Sequence, residues 1–138
     1  MNALIALLWE EHPFHPLCVR WFTKLHQAEW ATCPITESGC VRILSSPAFT
    51  ATPPTVHAAI NLIRTSTQSS GHHFWNDDIR LSEVGTRWQR RLGPKQVTDA
   101  YLLALAIHHK GKLVTFDRRM LALAPEGSAE RKSLEILV

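Results

Sequence analysis

The chain has 138 residues, with 15 Lys and Arg against 12 Asp and Glu for a net charge of +3, and is 45% hydrophobic and 20% charged. A chain of this length can bury roughly 65–70% of its unfolded surface around one core, and five Trp with abundant Leu and Ile exclude a disordered polymer. No apolar run approaches the ~20 residues that cross a bilayer, the N-terminus lacks a signal peptide's basic region, and three cysteines without a C-x-x-C pair argue against a disulfide framework. A single domain over residues 1–138, soluble and in a reducing cytoplasm, is expected.

In chain order, Asn2 is suited to cap a helix from Ala3 to about Glu11 that stops before Pro13. Leu17, Trp21 and Leu25 recur at every fourth position of a second helix, from about His15 to Gln27. Glu29 to Ile35 reads as a strand, and Thr36 as the cap of a helix carrying Val41, Ile43 and Leu44 up to Pro47. Beyond Pro53 and Pro54, Val56 to about Thr65 is an amphipathic helix with Ala59, Ile60 and Ile63 on one side. Ser66 to Gly71 reads as a loop and His72 to Trp75 as a short strand. The polar stretch from Asn76 to Gln96 predicts one short helix around Glu83 to Arg90 and a loop through Gly93 and Pro94. Thr98 then caps a strongly apolar helix ending in His108, His109, Lys110 and Gly111, cations and a glycine that suit a helix C-terminus. Lys112 to Phe116 is a strand, Arg118 to Ala124 a short helix and Leu134 to Val138 a last strand. This alternation implies an α/β domain with a largely parallel sheet.

Three acids fall at equivalent places in that order. Glu37 follows the first strand and opens a helix, Asp99 opens the helix before the strand at residues 112–116, and Asp117 ends that strand. All three should line the rim where open α/β sheets bind ligands. Taken singly, each is explained by a helix dipole or a cap. Gathered at one rim, they repel and raise each other's pKa, and a hard divalent cation such as Mg²⁺ or Mn²⁺ relieves the repulsion. Such a centre activates water and neutralises charge developing in phosphodiester cleavage, the chemistry of a metal nuclease.

The segments Thr36-Glu37, Phe74-Trp75-Asn76-Asp77-Asp78, Thr98-Asp99-Ala100-Tyr101-Leu102-Leu103 and Thr115-Phe116-Asp117 closely resemble VapC-type toxins of the PIN-domain ribonucleases, in the same order across essentially the whole chain. The resemblance implies a three-layer α/β/α fold with a mainly parallel central sheet. It also implies a Mg²⁺-dependent endoribonuclease acting on RNA, held in check by a VapB-like antitoxin and usually a homodimer. Matched one by one, Glu37, Asp99 and Asp117 take the places of family acids and Thr115 that of an active-site hydroxyl, with Thr98 and Asn2 as neighbours. In one respect the chain departs from the family. These toxins begin with a strand ending in Asp-x-Asn, and this chain picks up only at the Asn, as Asn2. The central first strand and its metal-binding Asp are then expected upstream of residue 1, with Met1 standing where the family often has Val. Without that Asp, a weakened nuclease or a non-catalytic RNA- or antitoxin-binding protein is the alternative, and an α/β domain with an unrelated ligand a third.

For RNA, Arg87, Arg90, Arg91 and Lys95 form a stretch free of acids leading to Asp99, in which Trp88 could stack on a base. A solvated basic helix face accounts for that stretch equally well. Arg42 and Arg118 are also placed near the rim. His12, His15, His72, His73, His108 and His109 do not form a zinc motif, because adjacent histidines point apart on a helix or strand and none pairs with a Cys at finger spacing. Cys40 reads as a small buried residue, and Asp77 and Asp78 as a turn.

Overall fold

In the computed structural model, which describes residues 1–25, 29–89 and 92–137, the chain divides into two compact units, Met1–Asn76 and Asp77–Val138. The first unit contains α1 (Asn2–Leu8), α2 (His15–Lys24), β1 (Trp30–Thr32), α3 (Pro34–Leu44), α4 (Val56–Ser66) and β2 (His72–Phe74). Its core is the buried cluster Ile5, Cys40, Leu44, Ala59 and Ile63, where the apolar faces of α1, α3 and α4 meet. The helix at the N-terminus is shorter than expected and is not capped by Asn2. Met1 holds the cap position and Asn2 is already helical. The helix stops because Trp9 turns extended (φ −111°, ψ 105°) and sets its ring edge-on to Phe49 at 6.0 Å, ahead of Pro13. Two hydrogen bonds tie α2 to α1: His15 Nδ1 lies 2.8 Å from the Ala6 carbonyl, and the buried Cys18 thiol donates to the Ala3 carbonyl at 3.3 Å.

The strand predicted over residues 29–35 is only three residues long. Pro34, whose missing N–H and fixed φ suit a first helical position, starts α3 directly after an extended Cys33. Thr36 is therefore not the cap but the third helical residue, and its hydroxyl reaches back, accepting the Cys33 N–H at 2.9 Å. In α4 the cap is Thr55, which accepts the Ala58 N–H at 3.1 Å. Strands β1 and β2 pair in parallel, Trp30 opposite His72 and Thr32 opposite Phe74.

The second unit contains α5 (Leu81–Trp88), α6 (Val97–His108), β3 (Leu113–Thr115) and β4 (Leu134–Ile136). Every residue of α6 from Ala100 to Ala106 is buried, so this helix is apolar on all sides and forms the centre of the unit. Val84 and Trp88 of α5, Met120, Leu123, Ala124 and Leu134 are buried in the same unit. Thr98 does not cap α6. A 3₁₀ turn over Pro94–Gln96 runs straight into the helix, Gln96 holds the cap position and Thr98 is exposed in the first turn. At the other end the glycine predicted to terminate the helix is displaced by one. Lys110 takes the left-handed conformation (φ 57°), and the Gly111 N–H donates to the Ala106 carbonyl at 2.8 Å, closing a Schellman motif. The segment after β3 is a 3₁₀ turn over Arg118–Ala122, and a further one, unforeseen in the sequence, spans Glu130–Ser133. Strands β3 and β4 also pair in parallel, Leu113 opposite Leu134 and Thr115 opposite Ile136. The parallel pairing expected of the α/β class thus holds in both units, each carrying a two-stranded sheet. Among the described residues no helix is long and apolar enough to cross a membrane.

Candidate active site

Each unit presents acidic side chains where a strand hands over to a helix or turn. In the first unit, Glu37 lies in the first turn of α3, just past the end of β1. The buried Thr32, last residue of β1, donates its hydroxyl proton to Glu37 Oε1 at 2.6 Å. His72 Nε2 lies 2.8 Å from the same hydroxyl oxygen. A hydroxyl has one proton, already given to Glu37, so His72 must be the donor to Thr32 through an Nε2–H. Burial holds the His72 pKa below its ordinary value despite the opposing charge of Glu37, which keeps a neutral imidazole in that chain of hydrogen bonds. The result is a line from β2 through β1 to α3 that fixes the Glu37 carboxylate. The Met1 side chain lies against Gly39, where any Cβ would displace it, so Asn2 begins its helix close to α3. Burial, reinforced by the Glu37 charge and opposed by the N-terminal amine, pushes the Cys40 thiol up to about 11, which makes it an inert core residue and not a nucleophile. Arg42 is exposed in the last turn of α3, complementing that helix end.

In the second unit, Asp99 and Asp117 interact. Asp99 is half-buried in the first turn of α6, and its pKa is raised first by burial and then by the charge of Asp117, with Arg119 opposing. Asp117 follows β3 and caps the next 3₁₀ turn by accepting the Arg119 N–H at 2.9 Å. The Arg119 guanidinium also clasps this carboxylate, with Nε 2.9 Å from Oδ1 and Nη2 2.5 Å from Oδ2. Those hydrogen bonds hold the Asp117 pKa below the usual carboxylate range. Two neighbouring carboxylates are thus pushed in opposite directions, Asp99 up and Asp117 down. Thr115, buried at the end of β3, accepts the Asp117 N–H at 3.1 Å and fixes the turn.

The sequence places Arg118 near the rim and gives no sign of Arg119, which is the residue that engages Asp117. Arg118 is exposed, whereas a capping Asp meets the residue two further on. Arg87 pairs with Glu130 at 2.9 Å and lies 6.0 Å from the Trp88 ring. Trp88 itself is not a stacking platform. It is 5% exposed, and its indole N–H donates to the Leu123 carbonyl at 2.8 Å. Lys95 is exposed in the turn before α6, and Arg90 and Arg91 lie outside the described residues.

Residues 2–125 match the family model for the PIN domain, and the chain belongs to the PIN-domain family. Ribonuclease VapC44 of Mycobacterium tuberculosis is 39% identical over 132 residues, covering 95% of this chain and 92% of that protein. Ribonuclease VapC39 of the same organism is 41% identical over 132 residues, covering 94% of each, and Ribonuclease VapC38 is 37% identical over 126, covering 91% and 88%. Within its family this chain is therefore of the VapC type.

Proposed function

We propose that this chain is the toxin of a type II toxin–antitoxin pair, a cytoplasmic endoribonuclease dependent on Mg²⁺ or Mn²⁺, working as one PIN-like domain over residues 1–138. Asp99 carries the proposal. Its carboxylate is driven toward the neutral form by burial and by Asp117, a penalty that a bound divalent cation would reverse. The donors present there, two carboxylates beside the Thr115 hydroxyl, are all oxygen, which fits a hard cation. We assign Glu37, Asp99 and Asp117 as the residues that hold the ion, with Asn2, Thr98 and Thr115 beside them. When bound, the ion supplies an activated water and neutralises charge developing on the scissile phosphate. The chain's own side chains do the rest. Thr32 orients Glu37, Thr115 fixes the turn bearing Asp117, and Arg119 balances the Asp117 charge. The exposed Arg42, Lys95 and Arg118, with Arg90 and Arg91, would contact RNA phosphates, which position a substrate without reading its sequence. Arg87, engaged by Glu130, contributes less. The relatives' name, ribonuclease VapC, supports RNA as the substrate, and with the VapC type we propose a VapB-like antitoxin as the partner and a homodimer as the working form.

Incubating the purified protein with structured RNA tests this directly. Cleavage is expected with Mg²⁺ present, none with EDTA, and a loss of about a hundredfold or more with Asp99→Asn. RNA cut equally well under all three conditions, or left intact by the wild type with Mg²⁺, would overturn the proposal.

A further inference from the structure

We propose that Asp78, His108 and His109 form a second metal site, for a borderline divalent cation of the Zn²⁺ class, at the C-terminal end of α6. Adjacent histidines on a continuing helix point apart, but here the helix ends between them: His108 is its last residue and His109 its cap (φ −83°, ψ 8°). Both imidazoles therefore converge on one carboxylate. His109 Nε2 lies 3.1 Å from Asp78 Oδ1 and His108 Nε2 3.7 Å from Oδ2. The three donor atoms all lie within 4.8 Å of one another, and the rings stand perpendicular with centroids 5.0 Å apart.

Two imidazole nitrogens and one carboxylate oxygen select Zn²⁺, Co²⁺ or Ni²⁺ over the oxygen-loving Mg²⁺. Three protein ligands leave a fourth position of a tetrahedral zinc open. A cation at this place also meets the negative end of the helix dipole. The ligands are partly prearranged, because the Tyr101 hydroxyl donates to the Ile79 carbonyl at 3.2 Å and pins the chain next to Asp78 onto α6. The cluster is separate from the Asp99 carboxylate, nine residues and roughly 13 Å away along the helix axis. A bound ion would staple the segment entering α5 to the end of α6 and leave a coordination position open to solvent.

Competition of the intact protein against a chromophoric zinc indicator, with thermal unfolding in Zn²⁺ or EDTA alongside, tests the site. One tight Zn²⁺ per chain and a raised unfolding temperature are expected, unaffected by millimolar Mg²⁺ and retained by Asp99→Asn. His108→Gln, His109→Gln and Asp78→Asn, near-isosteric changes at accessible positions, should each lower the affinity about tenfold or more and abolish the thermal shift. Equal zinc affinity in the wild type and the His108→Gln/His109→Gln double variant, or loss of the tight zinc in Asp99→Asn, would overturn the proposal. RNA cleavage is not read in this experiment, so its outcome is independent of the nuclease assignment.

Discussion

Replacing Trp88 with Phe separates a core indole from a base-stacking one. A phenyl ring preserves an aromatic face, so a stacking role would survive much of the change, whereas the structural role depends on the N–H bonded to the Leu123 carbonyl. Leaving that buried carbonyl without its donor costs about 1–3 kcal/mol. The smaller ring also gives up about 40 Å² of buried apolar contact, or about 1 kcal/mol at 25 cal/mol per Å². The sum, about 2–4 kcal/mol, is a large part of the ~5–15 kcal/mol that holds a domain together. With a urea dependence of roughly 2 kcal/mol per molar, the unfolding midpoint should fall by about 1–2 M. Far-UV circular dichroism is the appropriate probe, since five tryptophans complicate fluorescence. An unchanged midpoint together with weaker RNA binding would refute the placement of Trp88 in the core.

Asp99→Asn should reduce cleavage about a hundredfold or more while stabilising the metal-free fold. Because the folded Asp99 pKa lies above its ordinary value of 3.8, ionisation at neutral pH opposes folding, and the stability gap between variant and wild type should close as pH falls toward 3.8; a less stable variant at pH 7 would contradict this. Lys110→Gly relieves a left-handed non-glycine residue and should stabilise by about 0.5–1 kcal/mol in urea unfolding, the ~1–2 kcal/mol of backbone strain being offset by glycine's unfolded-state entropy. A thiol reagent should find none of Cys18, Cys33 and Cys40 in the native protein and all three after denaturation, since each is at most 3% exposed. His12 and His72 both have pKa values lowered from 6.5 by burial, His12 also by the nearby His15 charge, so the unfolded chain takes up protons first as pH drops through 6.5. The urea midpoint should therefore decline from pH 7.5 to 5.5, and His72→Gln should flatten that decline; a rising midpoint would reverse the sign of the argument.

Features written by local chemistry were legible in the sequence. Asp117 caps the turn after β3, Asp99 sits in the first turn of α6, and β2 begins at His72, because caps, dipoles and β-branched or aromatic runs act over a few residues. Boundaries slipped where a stronger local rule intervened. Pro34 started α3 early and shortened β1, and the 3₁₀ turn over Pro94–Gln96 took the cap from Thr98. What depends on distant partners was hidden. Arg87 meets Glu130 forty-three residues on and Trp88 meets Leu123 thirty-five residues on, so an apparently basic, aromatic RNA-gripping stretch is in part the wall of a core. Asp78 looked like half of a turn and is instead the shared partner of two histidines thirty residues away, which no periodicity announces.

The seven consecutive buried residues of α6 have a dynamic consequence. Their amide hydrogens are shielded by packing on every side, so they should trade with deuterium only when the whole unit opens, making this helix the last to exchange. Asp99 is carried at the edge of that slow segment. Its carboxylate is therefore anchored to the segment of its unit that opens last.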